Sequence, residues 1–254
     1  MKTLFIDCRS GVCTDMILSG LLDMGLNIDC AETTAIRELV IEELNPHIYG
    51  HAGEECEGHV ADHEHEHAHE DGHHHTSYAT VRRIIEKAPL TEEARAIASK
   101  IYEVIARSEA AVHGTDLENV HFHEVGRAEA IINILAVAMC IADLSPDDIV
   151  CSDIHDGCGA IECSHGTIPV PVPAVQAMKE LPETKALHLS FVQDAIESEM
   201  VTPSGLGILV GIGARFGYYP EDDPVLARGM GRGGRELGLP GMEITLLEDG
   251  EFEQ

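Results

Sequence analysis

The sequence predicts an α/β protein, with a mixed sheet, helices packed on it and a His-rich, flexible insert. Three observations lead there. The chain opens on a strand, loop and helix, and further strand patterns at 149–154 and near Val225 and Ile244 are separated by helical ones. A hydrophobic content of 44% over 254 residues is enough to fill one core. The insert holds almost no large apolar residues and so supplies none of that core. Residues 1–46 then read as an N-terminal βα unit with a helix, 47–76 as the insert, and 77–254 as the remainder of the same domain.

Composition narrows the partners. A formal charge of −29 disfavours nucleic acid and favours cations. The opening apolar run ends at Asp7, and no segment reaches the roughly 18 apolar residues of a membrane span. The expectation is a cytoplasmic protein with no membrane partner. Eight scattered cysteines without a signal peptide favour free thiols or metal ligands over disulfides.

In chain order, residues 2–6 read as a strand, and the turn Asp7, Cys8, Arg9, Ser10, Gly11 leads into a helical pattern (Met16, Ile17, Leu21, Leu22) that stops at Gly25. The free N–H groups of a first helical turn can hold an anion at Ser10 and Gly11, with Asp7 and Asp15 nearby to hold a metal or fix the turn. An ordinary turn with Ser10 as cap and Asp15 facing the helix dipole fits equally well. Residues 31–44 read as an acidic surface helix.

Ten of the sixteen histidines fall within 47–75, interleaved with Asp and Glu. Imidazoles such as His63, His65, His67, His69, His73, His74 and His75 suit Ni²⁺, Zn²⁺ or Cu²⁺, so the tract reads as a metal buffer, with a polar linker as the alternative. Residues 77–88 and 91–113 form a helical hairpin, with Pro89 in the break and Thr91 as cap. His113, at its end, reads as a surface residue.

The densest chemistry lies at 120–126, Val-His-Phe-His-Glu-Val-Gly. If this stretch is extended, His121 and His123 share one face and form a metal patch, with Phe122 and Glu124 on the other. The apolar run 128–142 follows as a buried helix. After the strand at 149–154 comes a glycine-punctuated loop in which Cys158, Cys163 and His165 are candidate ligands, although four residues separate the cysteines, and a thiol-rich loop without metal fits as well. Pro169, Pro171 and Pro173 stiffen the next stretch, and Pro173 starts a helix running to 181. Thr202, with Pro203, Ser204 and Gly205, is a second capped helix start and a candidate anion site, leading into a small-residue helix at 206–216. The run from Arg228 to Arg235 matches G-x-G-x-x-G by letter, but Gly238 and Pro240 follow where a nucleotide-binding helix should begin. Arg228, Arg232 and Arg235 then clamp a phosphate or carboxylate, or the stretch is a flexible connection between strands.

Asp7, Ser10, Gly11, Asp15 and Met16, the His-rich insert, His121 to Gly126, His165-Gly166 with Pro169, Pro171, Pro173 and Ala174, and Thr202-Pro203-Ser204-Gly205 together resemble the LarC family. These are the nickel insertion proteins that complete the nickel-pincer nucleotide cofactor of lactate racemase. Two stretches differ from the family's usual text: Cys13-Thr14 stands for Ser-Gly, and Glu129 and Asn133 stand for aspartates.

The resemblance implies a lyase of the nickel chelatase (cyclometallase) type. CTP and a divalent cation, Mn²⁺ or Mg²⁺, would assist insertion of nickel into pyridinium-3,5-bisthiocarboxylic acid mononucleotide, forming two Ni–S bonds and one Ni–C bond. The ring proton would go to Glu124 or a neighbouring imidazole, with Asp7 and Asp15 at a cation site. Full-length members carry the CTP site in a later part, so a separate C-terminal part is an expected partner, and a homo-oligomer stays open. The main rival is a non-catalytic nickel delivery or storage protein. A metal-dependent hydrolase using His121, His123 and Glu124 is third.

Overall fold

The first strand sits at the middle of the sheet, with four of its five residues buried. In the computed structural model, which describes residues 1–45, 76–163, 166–219, 223–234 and 237–248, β1 (Lys2–Ile6) runs parallel to β4 (Asp148–Cys151) and antiparallel to β11 (Met242–Glu248). The sheet continues outward to β10 (Val225–Gly231) on one side and β9 (Arg215–Phe216) on the other, in the order β10-β11-β1-β4-β9. It is therefore mixed, as expected. Alternation divides its faces: Leu4, Ile6, Ile244 and Leu246 join the main core, while Phe5, Val150 and Leu247 form a small cluster with Tyr219. Three two-stranded ribbons complete the β structure: β2 (Thr76–Ser77) with β3 (His121–Phe122), β5 (Ile154–Asp156) with β8 (Phe191–Gln193), and β6 (Ala160–Cys163) with β7 (Gly166–Pro169). The strand expected at 149–154 is two strands, β4 and β5.

Helix α1 (Thr14–Asp23) lies across β10 and β11. Gly229 and Gly231, two apart on β10, face it, and a Cβ on either would stand 2.1 Å from Gly20 O or 1.9 Å from Met16 O. Two glycines of the arginine-rich run are thus contact points between a strand and a helix. This corrects the flexible-loop reading for its first half. The remaining helices are α2 (Cys30–Leu44), α3 (Tyr78–Lys87), α4 (Glu92–His113), α5 (Ala128–Leu144), α6 (Pro173–Lys179), α7 (Pro182–Ala186) and α8 (Pro203–Gly211). Asp29, Ser77, Thr91 and Thr202 cap α2, α3, α4 and α8 with their side chains.

Helix α4 is the hub, packed against α3, α5, α6 and α8. Gly207 and Gly211 let α8 approach it closely, since a Cβ there would stand 2.5 Å from Ile105 and 2.6 Å from Ile101. The helix expected to run to Phe216 ends at Gly211 instead. Gly213 turns the chain at φ +76°, and Arg215 and Phe216 pair with β4. Nor is Ser10 a cap: α1 starts after Cys13, which makes no side-chain capping bond. Six cysteines are free among the described residues, and no helix among them is long and apolar enough to cross a membrane.

Candidate functional site

Two loops far apart in sequence are stitched together by their backbones. Val12 N–H donates to Met200 O at 2.9 Å, and Thr202 N–H donates to Val12 O at 3.0 Å. Gly11 permits this: its φ is +88°, and a Cβ would lie 2.3 Å from Met200 O. Gly205 does the same from the other loop, at 2.4 Å from Val12 O. Asp156, 1% exposed, steadies the seam by accepting from the N–H groups of Gly157, Met200 and Val201 through Oδ1. The starts of α1 and α8 consequently lie side by side.

A third element closes on them. Phe122 is buried edge-on to Tyr78, and Tyr102 Oη donates to Val125 O at 3.1 Å, which pins the 121–126 segment to α3 and α4. Gly126 fits against Phe122 and Thr76 only because it lacks a Cβ, and Thr76 Oγ1 donates to its carbonyl at 2.8 Å. From there α5 sets out beside α1, and Asn133 Nδ2 donates to Asp15 Oδ1 at 3.1 Å.

Between these elements runs a crevice of three adjoining cavities. One, of about 940 Å³, has Ser10, Cys13, Asp15 and Arg232 on its walls, with Glu199 and Thr202 at its inner edge. A second, of about 690 Å³, shares Glu199 and Thr202 and adds Glu109, His113, His123, Glu124 and Arg127. A third, of about 240 Å³, lies where the starts of α1, α5 and α8 meet. Arg232 is held in place through Ser19, whose Oγ accepts its N–H at 3.0 Å.

The cavity of about 690 Å³ gathers imidazole and carboxylate side chains. Glu109 Oε2 stands 3.6 Å from His113 Nε2, one helical turn on, and the His113 and His123 rings are 6.2 Å apart. Burial, and secondarily the charge of Glu124, push the Glu109 carboxyl up to about 7. No group of three or more His, Cys, Asp or Glu side chains is drawn together to hold a metal among the described residues.

Sequence-predicted residues distribute unevenly over this crevice. It collects Ser10, Asp15, Thr202, Ser204, Arg232, His123 and Glu124. His121 is not among its walls. The strand lasts only to Phe122, and His123 turns away with ψ −89°, so His121 is left exposed with Nδ1 2.9 Å from Asn119 O. The expectation of two imidazoles on one extended face is therefore corrected: the ring of His113, at the end of α4, stands 6.2 Å from that of His123.

Asp7 also stands apart. Burial raises its pKa, but bonds from Arg9 and Ser152 outweigh that and hold the carboxyl below its usual value, which fits the turn-fixing reading. Arg228 lies on β10 against Tyr219 and Glu243. Half-buried Cys158 bonds through its N–H to Ile196 O, away from the cavity walls. The Cys163 side chain, His165, Arg235 and the histidines of the tract, His63, His65, His67, His69, His73, His74 and His75, lie outside the described residues.

Glu109, Arg127 and Glu199 escaped the sequence reading as site residues, and His113 was read there as a surface residue. Only the i,i+4 spacing of Glu109 and His113 was a signal there.

The model of a family described as nickel insertion protein matches residues 4–252. Among curated proteins, the chain is similar to the pyridinium-3,5-bisthiocarboxylic acid mononucleotide nickel insertion proteins of three organisms. With that of Acetivibrio thermocellus it shares 35% identity over 94% of this chain and 58% of the relative. With that of Lactiplantibacillus plantarum the identity is 34% over 100% and 63%, and with that of Staphylococcus epidermidis 29% over 100% and 61%. The chain thus spans about three fifths of the length of these relatives. No solved structure matches it.

Proposed function

Because the chain belongs to the nickel insertion protein family, we propose that it binds pyridinium-3,5-bisthiocarboxylic acid mononucleotide and Ni²⁺ and is the part of a cyclometallase in which the two are joined. CTP with Mn²⁺ or Mg²⁺, and a C-terminal part like the additional length of the relatives, are the remaining components of this reading. Its support is one observation: a single crevice joins an imidazole–carboxylate cavity to walls that offer hydroxyls, an arginine and helix N-termini.

The chemistry asks for both. Nickel must be held and then released to the substrate's sulfurs, and His113 and His123 with carboxylate neighbours grip it less firmly than a set of thiolates would. As the Ni–C bond forms, the ring C–H bond breaks and its proton needs an acceptor. Glu109, raised to about 7, and Glu124 beside it are placed for this, because a general base works best with a pKa near the working pH. Ser10 and Arg232 offer hydrogen bonds to the anionic substrate within a strongly acidic protein.

Reconstitution tests the proposal. The chain, the C-terminal part of a relative, the mononucleotide precursor, Ni²⁺ and CTP should together yield the nickel-loaded nucleotide, and leaving out the chain should abolish it. Nickel binding without product under any combination would support delivery or storage instead, the reading that the ten histidines of residues 47–75 favour.

A further inference from the structure

The β6–β7 ribbon is a separate hairpin outside the five-stranded sheet, closed at its base where Val170 N–H donates to Gly159 O at 2.9 Å. In its register Ile161 stands directly opposite Ile168, so the two β-branched side chains share one face, with Cβ atoms roughly 4.5–5.5 Å apart. Glu162 and Thr167, the next pair along, bond to each other on the other face. Both isoleucines are half-buried, packed against the main core, and both line the cavity of about 690 Å³. A ribbon that only linked β5 to α6 would gain nothing from turning an apolar pair toward a cavity, where part of each side chain stays in water. The same cavity takes Glu109 from α4, Glu124 from the 121–126 segment and Glu199 from the approach to α8, against one arginine, Arg127. Its volume lies within the roughly 300–1,000 Å³ of a pocket for a whole organic ligand. An apolar patch about as wide as one aromatic ring, in a cavity whose charged lining is mostly carboxylate, is complementary to a flat ring that carries positive charge.

We infer that Ile161 and Ile168 are substrate-positioning residues: a cationic pyridinium ring lies flat against their paired side chains, and the cavity's glutamates take up its charge. This rests on the reading above that a pyridinium mononucleotide is the substrate, and it names the part of the crevice that holds the ring. Laid against the ribbon, the ring shares one cavity with His113, His123, Glu109 and Glu124. The carbon that loses its proton is then presented to imidazoles and bases by an apolar surface that makes no competing hydrogen bond. The phosphate extends toward the adjoining cavity of Ser10 and Arg232, which has Glu199 and Thr202 in common with this one.

Ligand-observed NMR titration of the full chain tests this with nicotinic acid mononucleotide, ribose 5-phosphate, the 1-methylnicotinamide cation and neutral nicotinamide. The mononucleotide should bind the wild type at least about tenfold more tightly than ribose 5-phosphate, and the cation more tightly than the neutral amide. The double variant Ile161→Ala, Ile168→Ala should weaken the mononucleotide and the cation at least about tenfold while leaving ribose 5-phosphate affinity unchanged. Ile161→Val with Ile168→Val keeps the apolar face and should stay within about threefold of the wild type. A mononucleotide affinity that survives the alanine pair, or that falls together with the affinity for ribose 5-phosphate, overturns the ring site and leaves the substrate reading standing. Isoleucine-dependent binding of the cation without binding of the mononucleotide upholds the ring site and overturns the substrate reading. If no ring-bearing probe binds the wild type, the ring site is overturned.

Discussion

Asn133 on α5 donates to Asp15 in the first turn of α1 across 3.1 Å, and this one bond ties together two of the helix starts that frame the crevice. An amide here satisfies a carboxylate without a cation. Asn133→Asp would replace the donor by a second acid and set two like charges against each other. It should lower the melting temperature at pH 7 by about 2–4 °C, the equivalent of roughly one hydrogen bond. A divalent cation shared by the two carboxylates should restore the loss, which melts with and without magnesium would detect.

Gly11 sits at φ +88° with Met200 O where its Cβ would be. Gly11→Ala should therefore cost about 1–3 kcal/mol from backbone strain alone, and more from the clash. Denaturant unfolding measures this. An alanine tolerated at no cost would mean that the seam between the two loops is not held as described.

The Glu109 carboxyl, raised from 4.5 to about 7, makes a signed prediction. Its folded pKa lies above its unfolded one, so the native state binds more protons between these values. Stability from this group is present in acid and falls as pH rises from about 4.5 to about 7, levelling off above. Glu109→Gln should remove that slope and be more stable than the wild type above pH 7 by up to roughly 3 kcal/mol. Unfolding free energies at pH 5 and pH 8 test it, and a parallel offset at both would contradict it.

His113 and His123 share a cavity wall, whereas His121 does not. With residues 47–75 deleted so that their imidazoles do not mask the site, His113→Ala and His123→Ala should each weaken nickel binding at least about tenfold, and His121→Ala should leave it unchanged. Calorimetric nickel titration distinguishes them. Nickel affinity that depends on His121 and not on His113 would return the site to the sequence-adjacent pair.

Local signals were legible in the sequence, and contacts between distant segments were not. Thr91 and Thr202 cap helices through their own side chains, and capping needs only neighbours in sequence, so both were readable. The buried helix after Gly126 announced itself by composition. Gly229 and Gly231 looked like a loop because the reason for them is α1, more than 200 residues earlier in the chain. His113 looked like a surface residue for the same reason: its place beside His123 depends on how α4 crosses the 121–126 segment, which no spacing encodes. His121 misled because strand alternation was extended one residue past the point where Phe122 is anchored and the chain turns.

The most direct measurement is single-turnover nickel incorporation into the pyridinium-3,5-bisthiocarboxylic acid mononucleotide, followed by mass spectrometry with CTP and a relative's C-terminal part present. The wild type should form the nickel-loaded product, His123→Ala and the double variant Glu109→Gln, Glu124→Gln should form at least about a hundredfold less, and His121→Ala should match the wild type. Product formed at undiminished rate by the His123 and double-glutamate variants would contradict the assignment of nickel insertion to this crevice.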